Sequence, residues 1–425
     1  MNVRLVIGGL SAASLLLLAC SVGTPRAERD SGPGGTDDAG SGPAGDSGIP
    51  PRPDTGPPGC NPYAPIPGMD QDGDGFRPED GDCDDCSAAA NPGAFDYPDN
   101  GADEDCSGAD ATAADLNCDS GLAIDSTDPR DAARAIGLCA FTDESSRRWG
   151  VISARFTRAD GAGDMDSPLQ TGILPSFGVL TPPAGAAFLA LSSGVARAPG
   201  QPGYTSACDE FGESFLGIPL PPDPTPFPPG FPVESPACPG VSTGPVYNAA
   251  ALEVRVRVPT NARSLSFRSN FYTYEYPDFI CSEFNDFFVT LMQPRPAGLA
   301  NDNIVFDAEG NLVSVNTSLL EVCQPGTHGG RTFACSQGTA QLEGTGFDGT
   351  AECGTESFFG TILGQSPRAA TGWLRTSAPV TGGEIITLRF TVWDSGDPTL
   401  DSTVLIDDFT WEVEEAPVRT IPDLI

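Results

Sequence analysis

The chain of 425 residues has no lysine: all 22 of its basic residues are arginine, against 58 acidic residues, giving a formal charge of −36. Such a charge repels nucleic-acid phosphates and anionic lipid and excludes duplex binding as a function. Histidine is almost as scarce. The lone His328 leaves no multi-histidine zinc site, no HExxH protease and no pair of histidines to share catalytic duty. No glycine-rich phosphate loop follows a strand and opens a helix, so nucleotide binding has no support. Long helical patterns are missing too. With 51 Gly and 42 Pro, the chain is punctuated at about twice the ordinary rate, which argues against a helix bundle. A hydrophobic fraction of 39 % still suffices for a core.

What is present begins with an export signal. Met1–Arg4 is a short positive region, and Leu5–Ala19 is apolar but shorter than the roughly 20 residues a spanning helix needs. The segment ends Leu17-Leu18-Ala19-Cys20, which resembles the lipobox of bacterial lipoproteins. The resemblance implies cleavage before Cys20, acylation of that residue and anchoring in lipid, and Ser21 resembles the sorting signal for the outer membrane of Gram-negative cells. The expected location is therefore an outer-membrane lipoprotein facing the surface or the periplasm. Twelve cysteines remain after Cys20, an even number in a compartment that permits oxidation, so six disulfides are expected. Cys118–Cys139 and Cys208–Cys238 are the plausible local pairs, each free of an intervening cysteine.

Composition then divides the chain: a signal over 1–20, a Gly/Pro/Ser/Asp tether over 21–59, an Asp/Cys-rich module over 60–115, a globular body over 116–415 and a tail over 416–425. The tether has almost no large apolar side chain to offset its ordering entropy, so disorder is expected. In the body, Asp128, Pro129 and Asp131 form a helix-start signal, and Gly137 a stop. Leu252, Val254, Val256 and Val258 alternate with Glu253, Arg255 and Arg257, the signature of a strand with one wet face. Further strands are expected at 265–271, 287–292, 304–306, 312–315, 385–393 and 403–411. The last two would form a pair joined by the turn-rich Asp394–Pro398. Strands without βαβ spacing predict a mainly β fold, an antiparallel β-sandwich of jelly-roll type.

Residues 70–105 hold thirteen carboxylates and one basic residue, Arg77. In Asp70-Gln-Asp72-Gly-Asp74-Gly75-Phe76, side chains in the first, third and fifth slots, a turn glycine in the sixth and a backbone carbonyl in the seventh are how an EF-type loop surrounds calcium. The twelfth slot is Gly81 rather than glutamate, with Asp80 and Asp82 beside it. A second run, Asp103-Glu-Asp105-Cys-Ser107-Gly108, repeats the spacing, and Asp82-Cys83-Asp84-Asp85 lies between the two. Hard oxygen donors select calcium over zinc or copper. Cys83-x-x-Cys86 lacks a second such pair and any histidine, so a disulfide role is expected.

These strings, with Asn91-Pro92-Gly93-Ala94, resemble the repeat family of metal-binding modules named after the MopE copper-binding protein, and the module is similar in style to thrombospondin type-3 calcium repeats. The resemblance implies cation binding; without histidine it does not extend to copper. In the body, Asn117-Cys118 to Pro129, Ala135–Cys139, Tyr274-Glu275-Tyr276-Pro277, Cys281-Ser-Glu283-Phe284-Asn285-Asp286-Phe287-Phe288 and Asp394 to Ser402 resemble the choice-of-anchor L domain. That resemblance, over about 116–413, implies a surface-displayed sandwich and no particular chemistry.

Glu275, Glu283, Asn285 and Asp286 stand beside a dense aromatic run, and Asp394, Asp397 and Asp401 follow later in the chain. Three readings stay open: a second calcium or ligand site pinning two loops, a sugar-binding face, or core aromatics with loop-end acids. Catalysis is not expected. A glycosidase would need two carboxylates about 5–10 Å apart, for which Glu275 and Glu283 are the candidates. The sequence thus predicts a lipid-anchored, calcium-binding surface protein whose sandwich serves adhesion or ligand binding, to a polysaccharide or surface protein, with a carbohydrate-active hydrolase using acids near Glu275 and Glu283, or a purely structural envelope role, as the alternatives.

Overall fold

The computed structural model describes residues 60–61, 66–206, 214–215, 218–219, 224–349 and 367–423. The signal, Cys20, the tether, Cys208 and Cys353 lie outside the described residues. The described residues belong to one compact unit. Among the described residues, no helix is long and apolar enough to cross a membrane.

The body is an antiparallel β-sandwich. Its first sheet runs Gly150–Thr157, Val246–Arg257, Ile385–Ser395, Phe287–Gln293, Val313–Ser314 in spatial order. The second runs Arg419–Pro422, Leu374–Pro379, Ser264–Thr273, Ser402–Glu412, Phe188–Ser192, Thr171–Leu174, with Ala369–Ala370 paired to the end of Ser264–Thr273. Alternation explains the first sheet. Leu252, Val254 and Val256 point into the core, while Glu253 stands on the wet face between Arg155 and Arg389, its partners in register on the flanking strands. Arg155 donates to Glu253 at 2.7 Å and Arg389 donates to the same carboxylate at 2.8 Å, so the exposed side of the central strand is a cross-strand ion ladder. Between the sheets, Phe267 and Phe390 meet edge to face with centroids 5.1 Å apart.

The helix forms over Pro129–Ala135 as its signals direct. Asp128 caps Arg130 N at 2.9 Å, and Ala132, Ala133 and Ala135 are buried. Gly137, at φ +100°, ends it against the backbone of Phe409, where a Cβ would come within 3.0 Å of a carbonyl.

Four expectations need correction. Ile385–Ser395 and Ser402–Glu412 belong to opposite sheets, so the turn-rich Asp394–Asp401 segment is an arch across the end of the sandwich rather than a hairpin. Residues 304–306 form no strand: isolated bridges join Asn303 to Leu291 and Phe306 to Leu312, and the Asn303 side chain and turns interrupt the ladder. The tail contributes a strand, Arg419–Pro422, on the edge of the second sheet. Cys238 pairs with Cys281 and not with Cys208. The physical reason is that the proline-rich 224–245 stretch folds back over the first sheet: Phe231 packs on Trp393 at 5.8 Å and Gly244 N donates to Glu283 O at 3.0 Å, bringing Cys238 beside residue 281. The other disulfides among the described residues are Cys60–Cys86, Cys83–Cys106, Cys118–Cys139 and Cys323–Cys335.

Candidate metal centres

The Asp-rich module is packed on the sandwich. Asn261 receives Phe95 N at 2.9 Å and donates to Phe95 O at 2.8 Å, while Thr260 N donates to Gly93 O at 3.0 Å. Arg147 lies over the buried ring of Phe76 at 4.3 Å. Two disulfides, Cys60–Cys86 and Cys83–Cys106, staple it internally.

Its first loop folds by a repeated local rule: each aspartate accepts a backbone N–H two or more residues ahead. Asp70 takes Gly73 N at 2.6 Å and Gly75 N at 3.0 Å. Asp72 takes Asp74 N, Asp74 takes Phe76 N and Asp82 takes Asp84 N, at 3.2, 2.7 and 2.9 Å. Gly73 and Gly75 have φ near +83° and +91° with open space around them, so conformation, not crowding, requires glycine there. Each of the three latter aspartates spends one oxygen on its turn. The other oxygen of Asp72, Asp74 and Asp82 is shielded from solvent and has no hydrogen-bond partner. Asp70, Asp72 and Asp74 bring one oxygen each within 4.8 Å of one another. Burial, reinforced by the neighbouring carboxylates, pushes Asp72 up to about 7 and Asp82 up to about 6.

Not every expected ligand belongs to this set. Asp80 is held by Arg77 at 3.1 Å and Arg147 at 3.2 Å, which pull its carboxyl below the usual range. Asp85 gives both oxygens to Gln71, at 3.1 and 2.6 Å, and so tethers the loop. Asp84 caps Cys86 N at 3.3 Å. Phe76, whose backbone carbonyl is the expected donor, also packs its ring under Arg147.

In the second loop, Ser107 N donates to Asp103 at 2.9 Å and Asp105 at 3.0 Å, and Gly108 N donates to Asp103 at 2.9 Å. The third carboxylate is Asp96, which spacing did not single out: one oxygen each of Asp96, Asp103 and Asp105 falls within 4.8 Å. Burial, then the hydrogen-bonding Glu104 carboxyl, pushes Asp96 up to about 7.

The sandwich holds a different set. Asp286 and Asp394 are both buried and lie within hydrogen-bond reach of each other. Asp286 also accepts Ser395 N at 3.0 Å and Ser402 Oγ at 2.8 Å. Glu275 and Asp401 are buried beside them, and Asp397, half-buried on the arch, caps Thr399 N at 3.0 Å. Asn248, a residue the sequence did not flag, sits at a bulge with φ +49° and donates Nδ2 to Asp394 at 3.2 Å. Burial first, then like charge, holds Glu275 and Asp394 well above the usual carboxylate range and Asp286 up to about 8. Glu283 is exposed, because residues 281–284 turn outward before Asn285 and Asp286 turn in, so it does not join this group. Of the eight aromatics in the run, Phe271, Tyr272, Tyr274, Tyr276, Phe287 and Phe288 are buried core, while Phe279 and Phe284 are half-buried and meet edge to face at 5.4 Å.

An aromatic cavity of about 480 Å³ lies elsewhere, at the seam of module and sandwich. Phe95, Trp149, Phe409 and Trp411 wall it, with Asp96, Asp105, Asp115 and Asp408 among the polar lining. Neither Glu275 nor Glu283 lines it. No family model, curated protein or solved structure matches the chain.

Proposed function

We propose that this is an exported, lipid-anchored protein that binds calcium in its Asp-rich module and uses its β-sandwich to bind a ligand. The observation that carries the reading is the pair of carboxylate trios in the glycine-turned loops, with the partnerless second oxygens of Asp72, Asp74 and Asp82. Carboxylate oxygens packed together are stabilised by a doubly charged ion, and a donor set of oxygen alone suits calcium rather than zinc or copper. The cysteines of the module are consumed in disulfides and supply no thiolate. The strings that resemble the MopE-named repeat and the choice-of-anchor L domain support a surface-displayed protein, as does the disulfide content. The anchor would be Cys20 in the outer membrane, with 21–59 as spacer.

Binding rather than hydrolysis is supported by the placement of the acids: Glu275 is sealed in the sandwich, whereas Glu283 is outside. The aromatic cavity at the seam has the size and the mixed lining of a ligand site, and an extracellular polysaccharide or surface protein is the proposed partner.

Calorimetric titration of the oxidised full chain with calcium tests the module. The heat of the wild type should fall by the equivalent of one ion in the Asp72→Ala, Asp74→Ala double variant; identical heats from the two proteins would defeat the assignment.

A further inference from the structure

The carboxylates at the end of the sandwich call for an explanation independent of the module. We propose that Asp286 and Asp394, with the side-chain oxygen of Asn248, hold one divalent cation, calcium by donor type, inside the β-sandwich where the chain arches between its sheets.

Three observations meet there. The first is the pairing itself. Two carboxyl groups within hydrogen-bond reach, with exposures of 1 % for Asp286 and 0 % for Asp394, must share a proton or a cation. The second is the identity of the atoms left over. Asp394 Oδ1, Asn248 Oδ1 and Glu275 Oε2 are shielded from solvent without a hydrogen-bond partner, and all three are acceptors. A shared proton satisfies one pair of oxygens; a cation satisfies several acceptors together. Asn248 is itself 1 % exposed, and the bond from its Nδ2 to Asp394 places its side chain in the cluster, with the amide oxygen left over. The third concerns the charge nearby among the described residues. Arg368 is the cation felt by Glu275, yet it is committed to Asp278 at 3.1 Å, to Tyr276 O at 3.2 Å and to the ring of Tyr274.

The site differs in kind from the loops of the module. Among the described residues, three carboxylate oxygens come within 4.8 Å only in the two module trios. The sandwich site therefore rests on two carboxylates and at least one amide oxygen, with Glu275 and Asp401 supplying further negative charge nearby. Its donors come from three separate stretches: the bulge at Asn248, the approach to Phe287–Gln293 and the end of Ile385–Ser395. An ion there ties together three strands of the first sheet at their loop end, and Asp286 in turn accepts Ser402 Oγ from the second sheet. Its calcium count would not depend on the module.

Equilibrium dialysis of the chelator-stripped, oxidised full chain against calcium tests this. Wild type and Asp286→Asn plus Asp394→Asn are compared, each with and without Asp72→Ala plus Asp74→Ala. The sandwich variant should bind one ion fewer per chain in both backgrounds, whatever the module substitutions do. In chelator its melting temperature should equal or exceed that of wild type, because a like-charge pair has been neutralised, and calcium should raise it less. An unchanged ion count in the sandwich variant overturns the proposal and leaves a shared proton as the explanation. Asn248→Gly provides a second test, since glycine keeps the positive φ and removes only the amide. It should weaken one class of calcium binding at least tenfold, and unchanged affinity would equally overturn the site.

Discussion

Replacing Asp407 with asparagine stabilises the protein at pH 8 and has little effect at pH 4. Asp407 lies in Ser402–Glu412, where the register shifts, and its carboxylate accepts Ala184 N at 3.0 Å and Asp408 N at 2.6 Å. Burial, opposed by those two bonds and helped by the charges of Asp408 and Asp119, pushes it up to about 7. In the unfolded chain the same group titrates near 3.9. The folded state therefore holds a proton that the unfolded state releases between about pH 4 and 7. Its contribution is complete below about pH 4 and is lost as pH rises through 7. By pH 8, three pH units of mismatch amount to about 4 kcal/mol against folding. Asparagine removes that cost and gives up one of the two accepted bonds, worth about 1 kcal/mol. Urea unfolding at fixed calcium should thus show a net gain of roughly 2–3 kcal/mol at pH 8. Parallel pH profiles for the two proteins would show that burial does not perturb this carboxyl.

Phe390→Ala should lower stability by about 3–5 kcal/mol, through lost transfer free energy plus the cavity left behind. Phe390 is fully buried in the middle of the first sheet, and its edge-to-face partner Phe267 belongs to the second, so the truncation opens a gap between layers that rigid strands close poorly. The urea midpoint should fall with an unchanged slope. A loss under about 1 kcal/mol would mean that the two sheets do not share this contact.

How far the sequence revealed this molecule depends on whether each signal was local. The strand around Leu252–Val258 was legible because one of its faces is wet and the apolar residues therefore alternate. Phe188–Ser192 and Thr171–Leu174 are buried on both faces, carry no alternation and are short, so nothing marked them. The Asp loops were legible because each bond in them spans a few residues. Asp96 was not, since its partners Asp103 and Asp105 are reached only through the fold. The sandwich cluster was half visible: Glu275, Asp286, Asp394, Asp397 and Asp401 lay in strings that drew notice. Asn248 gave no signal, because its role arises from a bulge in strand register 146 residues away from Asp394. Glu283 misled because side chains two apart in an irregular turn need not share a face. Cys238 did so because sequence proximity is a weak guide to which loop folds over which sheet.

Hydrogen–deuterium exchange on the oxidised full chain, followed over residues 66–115 in calcium and again in excess chelator, addresses the role of the cation in the Asp-rich module. If a divalent ion balances the charge on Asp70, Asp72, Asp74, Asp82, Asp96, Asp103 and Asp105, the backbone amides of both loops should be protected in calcium and should exchange at least tenfold faster once it is removed. The disulfides and the contacts at Phe95 and Asn261 should hold the rest of the module in place. Equal protection in the two conditions would contradict the proposal, for it would mean that these carboxylates are accommodated without a cation.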